Sequence, residues 1–81
     1  MNNKNEIKSW MGKDGVLFLY NIGLKKGQSV LDYGCGEGHY TIPAAEVVEK
    51  DGMVYAFDKD KEALNSLSEA AKKYGAYPVK L

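Results

Sequence analysis

The spacing of apolar positions switches along the chain between the period of a helix and that of a strand, and the switches divide it into short elements. In the first fifteen residues only Ile7, Trp10 and Met11 interrupt a polar run, at a spacing that fits one face of a short helix. The stretch from Asp14 to Ile22 (DGVLFLYNI) is too apolar for a free surface helix. It fits a short helix laid against the edge or face of a sheet, with Asp14 as its cap and Gly23 as its stop. GLKKGQS then turns the chain into a strand over Ser29 to Tyr33. A helix over roughly Tyr40 to Lys50 would bury Ile42, Ala45 and Val48 and turn Glu46, Glu49 and Lys50 to water, with Pro43 harmless in the first turn. Asp51-Gly52 is a stop, and Met53 to Phe57 (MVYAF) reads as a second strand. Asp60 is placed to cap a helix over Lys61 to Tyr74, with Leu64, Leu67, Ala71 and Tyr74 on one face and Gly75 at its end. Tyr77 to Leu81 begins a third strand. Strands alternating with helices imply parallel pairing through right-handed crossovers, a βαβαβ half of an open α/β sheet.

Composition narrows the function classes. With 81 residues, the chain is expected to form one domain over 1–81, and a domain of this size buries only about 60% of its unfolded surface. Lysine plus arginine and aspartate plus glutamate both number 11. There is no overall basic field to draw the chain to nucleic acid or to an anionic membrane, so neither is expected as a partner. One cysteine and one histidine allow no internal disulfide and no zinc site, so no metal is expected. No apolar run approaches the length of a membrane span or of a secretory signal, and a cytoplasmic protein is the expectation.

Candidate chemistry concentrates in Ser29 to Tyr40, SVLDYGCGEGHY, where an apolar strand meets Asp32 and then glycines at 34, 36 and 38. A strand that breaks into a glycine loop and continues as a helix lets backbone N–H groups meet a ligand with no Cβ atoms in the way. Ligands of open α/β sheets sit beyond the carboxyl ends of the strands. Both Asp32 to Gly38 and Asp58 to Asp60 fall at such ends. An acid ending the next strand about 24 residues after Gly34 is placed to accept hydrogen bonds from the vicinal hydroxyls of a ribose, which fits a nucleoside-binding βαβ unit. The plainer alternative is that the glycines serve only as tight turns and that Asp32 and Asp58 only cap backbone amides. A dinucleotide fingerprint would need a small residue at position 39, and His39 stands there.

The pattern is instead D-x-G-x-G-x-G. VLDYGCGEGHYT, with the preceding LKKGQS and the later VYAFDKDKEAL, resembles the first two cofactor-binding motifs of the class I S-adenosylmethionine-dependent methyltransferases. The resemblance implies a partial Rossmann-like three-layer α/β fold with a short parallel sheet, a truncated form of the methyltransferase fold, and S-adenosylmethionine as the small-molecule cofactor. It implies that Asp32 holds the loop and faces the amino group of the methionine part, directly or through water. Gly34, Cys35 and Gly36 would lie against that part, with Gly38 completing the loop. Asp58 would bind the ribose hydroxyls, and Lys59 would flank the adenine. Tyr20 and Tyr40 could help close the site, although core packing is the plainer role for each. Cys35 near a helix start could have a lowered thiol pKa, but it fits the pattern as a small residue, and His39 reads as a surface residue at a helix start.

In the resembled family, the adenine-contacting motif, the substrate pocket and any catalytic residue follow the third strand. The expectation is therefore the cofactor-binding half of a methyltransferase, with no catalytic residue to name. The alternative is a non-catalytic nucleoside-binding or dimerising module. The first strand would be an open edge, to be paired by a missing C-terminal half or by a second copy in a homodimer.

Overall fold

The computed structural model describes residues 4–76 and 78–81, so that Tyr77 of the expected third strand lies outside the described residues. The element order is α1 (Lys4–Ser9), a π-helical turn (Trp10–Asp14), α2 (Gly15–Asn21), β1 (Ser29–Tyr33), α3 (Thr41–Val48), β2 (Met53–Phe57), α4 (Lys61–Tyr74) and β3 (Val79–Lys80). The three strands form one parallel sheet in the order β1-β2-β3, with Val30 opposite Val54 and Val54 opposite Val79.

Alternation within the strands decides what each face meets. Val54 and Ala56 point to the helices and are buried, while Leu31, Tyr33, Tyr55 and Phe57 point the other way and are exposed. Two apolar clusters fill the helical side. Met11, Cys35, Ile42, Ala56 and Leu67 form one, and Ala44, Ala45, Val48 and Val54 form the other. The described residues thus supply two layers of the expected three-layer fold, the sheet and the helices over one of its faces.

Local rules account for most boundaries. Asp60 has extended backbone and accepts the N–H of Glu62 at 3.0 Å, and Gly75, at φ 66°, ends α4 in the left-handed conformation that glycine tolerates. Asp14, by contrast, makes no capping bond. The chain is already helical through the π turn when it reaches Asp14, so no helix starts there for it to cap. Tyr74, expected on the inner face of α4, is exposed, with the Lys73 ammonium 5.5 Å from its ring. Leu17, Phe18 and Tyr20 of α2 are exposed as well, and only Val16 and Leu19 turn inward. The expectation that this helix lies against the sheet holds for one side of it.

The edge is well defined. The N–H of Met53 donates to Gln28 where the β1–β2 ladder begins, and the N–H of Gly34 donates to Phe57 where it ends. Only alternate residues of a parallel strand bond to a given neighbour. Val30 and Asp32 therefore address β2, and Ser29, Leu31 and Tyr33 direct their backbone groups to the open side, where the described residues place no further strand. A groove of about 440 Å³ runs beside this edge, lined among others by Leu19, Ile22, Val30, Asp32 and Tyr40.

Candidate functional site

The glycine loop leaves β1 at the carboxyl end of the sheet and is held at its start by β2. The carbonyl of Phe57 accepts the N–H of Gly34 at 2.6 Å and that of Cys35 at 3.1 Å, and the N–H of Gly38 closes back on the Cys35 carbonyl at 3.0 Å. The three glycines divide into two kinds. A Cβ at Gly34 or Gly36 would meet nothing within 4 Å, whereas a Cβ at Gly38 would sit 2.3 Å from Cδ1 of Leu67. Gly34 and Gly36 open the crevice, with positive φ that a side chain would strain, and Gly38 lets the loop press onto α4.

Asp58 joins the two loops. Its Oδ2 accepts the N–H of Gly36 at 3.0 Å and its Oδ1 accepts the N–H of Asp60 at 2.9 Å. The bond from Asp60 and then that from Gly36 hold the Asp58 carboxyl below the usual carboxylate range, because both favour the charged form. Each oxygen keeps a second lone pair that these bonds do not use. Both bonds are to backbone amides, one in each loop.

Asp32 is held from the other side. The hydroxyl of Thr41, the first residue of α3 and itself fully buried, donates to Asp32 Oδ2 at 2.5 Å. The Cys35 thiol is buried in the cluster beneath the loop. Its pKa is raised, first by desolvation and then by the charges of Asp32 and Asp58, the opposite of what a helix start alone could do. It is a small packing residue, as the motif pattern implied.

Asp32, Gly34, Cys35, Gly36, Gly38 and Asp58 thus meet at one end of the sheet, with Lys59 exposed beside Asp58. Tyr40 stands at the loop's exit and Tyr20 lies exposed on α2. Among the described residues no group of three or more His, Cys, Asp or Glu side chains is arranged to hold a metal ion. No helix of the described residues is long and apolar enough to cross a membrane.

Two residues of this constellation were not legible in the sequence. Thr41 carried a faint signal as a hydroxyl in the first turn of the helix, nine residues after Asp32. Trp10 carried none, because its indole N–H donates to the carbonyl of His39 at 2.5 Å, across a sequence separation of 29.

Known proteins share both motif and fold. The methyltransferase-domain family model matches residues 24–81. A probable cobalt-precorrin-6B C(15)-methyltransferase (decarboxylating) of Saccharolobus solfataricus is 42% identical over 60 residues, which make up 74% of this chain and 30% of that protein. A demethylmenaquinone methyltransferase of Geobacillus stearothermophilus is 35% identical over 63 residues, 78% of this chain and 27% of that protein. The crystal structure of a SAM-dependent methyltransferase from Aquifex aeolicus superposes with a TM-score of 0.77 at 30% identity, covering all of this chain and 46% of the other. The chain therefore spans less than half the length of these relatives. With the glycine loop and the fold in place, the chain belongs to the class I S-adenosylmethionine-dependent methyltransferase family.

Proposed function

We propose that this chain is the S-adenosylmethionine-binding part of a methyltransferase, and that its site is the crevice between the loop 34–38 and Asp58. The observation that carries the reading is the bond from the Gly36 N–H to Asp58 at 3.0 Å, which ties the glycine loop to an ionised acid. The donor set suits the cofactor. Gly34 and Gly36 leave open space over the backbone, where the methionine part would lie with Cys35. Asp58 would accept the ribose hydroxyls through its remaining lone pairs, and Lys59 would flank the adenine. Asp32, oriented by Thr41, would face the amino group. When bound, the cofactor supplies an electrophilic methyl group on a sulfonium, and catalysis rests mostly on aligning an acceptor with it. No residue of this chain is assigned a catalytic role.

The two relatives named above act on different acceptors, one a cobalt-precorrin and one a demethylmenaquinone. The acceptor here is left to the surfaces that meet the crevice. A second reading, a nucleoside-binding module that dimerises, draws on the open edge of β1 and the bare sheet face. In it, two copies pair β1 with β1 antiparallel about a two-fold axis. In the first reading a C-terminal half covers the same edge. We place the protein in the cytoplasm on its cysteine usage.

Calorimetric titration with S-adenosylhomocysteine tests the site. The parent chain should bind, and Asp58→Ala should weaken binding by roughly tenfold or more, as expected when charge-assisted hydrogen bonds are lost. Equal affinity in both would place the ligand elsewhere. Methyl transfer by the chain alone, against transfer only with a C-terminal half added, separates a self-sufficient enzyme from a part of one.

A further inference from the structure

The matched family region begins at residue 24, and nothing in it accounts for the N-terminal arm formed by α1, the π turn and α2. That arm reaches the far end of the glycine loop. Beside the Thr41 hydroxyl on Asp32, three ties hold the loop: Phe57 at its entrance, Asp58 at its middle and, at its exit, the indole N–H of Trp10 on the His39 carbonyl. The first two come from β2 and the residue after it, inside the sheet. The third comes from 29 residues earlier in the chain.

Several features of the arm exist to put the indole there. The π turn over Trp10–Asp14 closes with the N–H of Gly15 on the carbonyl of Trp10, which widens the helix at the point where the indole leaves it. A Cβ at Gly15 would lie 2.8 Å from the Trp10 carbonyl oxygen and 2.9 Å from both Cε2 of the indole and Cγ of Pro43. Only glycine lets α2 and α3 close on the ring at this point. The next residue, Met11, is buried in the cluster that contains Cys35, beneath the loop. The ring itself meets Tyr40 edge-on at 5.2 Å and Phe18 at 5.6 Å. Tyr40 in turn lines the groove that Asp32 shares.

We infer that Trp10 is a positioning residue of the ligand site, fixing the exit of the glycine loop and the ring of Tyr40, so that the N-terminal arm is part of the binding machinery. The inference rests on the cofactor reading for the identity of the ligand, but not for the behaviour of the loop. The loop entrance is anchored by strand pairing whatever the arm does. The exit depends on Trp10, because the N–H groups of Gly38 and Ile42 bond only within the loop and the start of α3.

The test uses Trp10→Phe, which keeps an aromatic ring against Tyr40 and Phe18 and removes the indole N–H. Val48→Ala, which thins the second cluster near the far end of α3, serves as a control of comparable loss in Tm. Without ligand, amide exchange of Gly38 and Ile42 should rise several-fold in Trp10→Phe and not in Val48→Ala, while Gly34 stays as in the parent. With S-adenosylhomocysteine, Trp10→Phe should raise Kd by roughly fivefold, the size of one lost hydrogen bond, and Val48→Ala should leave it unchanged. In the parent, the indole N–H resonance of the single tryptophan should move with the same midpoint as the Gly38 amide. Parental exchange at Gly38 in Trp10→Phe, or effects that follow Tm equally in both variants, would overturn the inference. If Trp10→Phe does not fold, an indole resonance that stays still while Gly38 moves would do the same. A parent that binds no S-adenosylhomocysteine would instead defeat the cofactor reading, while the exchange comparison still decides what Trp10 does to the loop.

Discussion

The two faces of the sheet are built from alternate residues of the same strands, β1 and β2, yet they have opposite fates. On the helical face Val54 is fully buried and Ala56 is 4% exposed, under α3 and α4. On the other face Leu31 is 69% and Tyr33 76% exposed, with Tyr33 stacked on Phe57 at 5.1 Å. A strand meant to face water on one side would carry polar residues there. Both β1 and β2 instead carry apolar side chains on both faces, as parallel strands do when each face is to be covered. The open face, which lies next to the outward backbone of Leu31, is an exposed apolar patch. The helical face holds the fold together, and the open face offers what the fold does not use.

The largest expected effect breaks the comparison at its buried side. Leu67 is fully buried between Ile42, Ala56 and the loop, and Leu67→Ala should cost about 2–5 kcal/mol, a large share of the total for a domain of this size. Tyr33→Ala on the open face should cost no more than about 1 kcal/mol, from the lost stack with Phe57. Urea unfolding of both variants measures the gap, and comparable losses would show that the open face is covered within the monomer.

The edge gives the next effect. Leu31→Lys places a charge on the open face at the centre of the unpaired edge. The parent should associate with rising concentration in sedimentation experiments and Leu31→Lys should stay monomeric, with stability unchanged to within about 0.5 kcal/mol. A parent that is monomeric at millimolar concentration would remove the second copy as the partner of this edge.

The smallest effect concerns the link between the loops. The pKa of Asp58 is lowered in the folded state, so the folded chain binds fewer protons there than the unfolded chain as pH falls through the carboxylate range. Its contribution to stability is present above the ordinary carboxylate pKa and is lost as pH drops through the lowered folded value. Asp58→Asn should flatten that part of the acid limb in a plot of Tm against pH, and an unchanged limb would mean that the two backbone bonds to Asp58 form in neither state.

How far the sequence could be read follows from where each element draws its order. The bounds of β1, β2 and α4 agree with the sequence reading because they depend on local signals: dense apolar runs, the Asp60 cap and the Gly75 stop. The face of α3 was legible through Ile42, Ala45 and Val48, but Thr41, Ala44 and Val47 are buried too, since the helix lies between the sheet and α2. The arm was legible only as an apolar spacing of Ile7, Trp10 and Met11. Its π turn lies against Pro43 and the His39 carbonyl, neighbours far away in sequence. The same holds for the site. The glycines and acids stand in a pattern that sequence displays, whereas the Thr41 and Trp10 bonds that hold the pattern in place arise only once α3 and the arm have docked.

The central claim is that the loop 34–38 and Asp58 bind an adenosyl cofactor with free ribose hydroxyls. Amide NMR of the chain titrated in parallel with S-adenosylhomocysteine and with NAD tests it most directly. The account predicts that S-adenosylhomocysteine moves the signals of Gly34, Cys35, Gly36, Gly38 and Asp58 along one binding curve while NAD leaves them in place. Equal or larger shifts with NAD, or S-adenosylhomocysteine shifts confined to residues away from both loops, would contradict it.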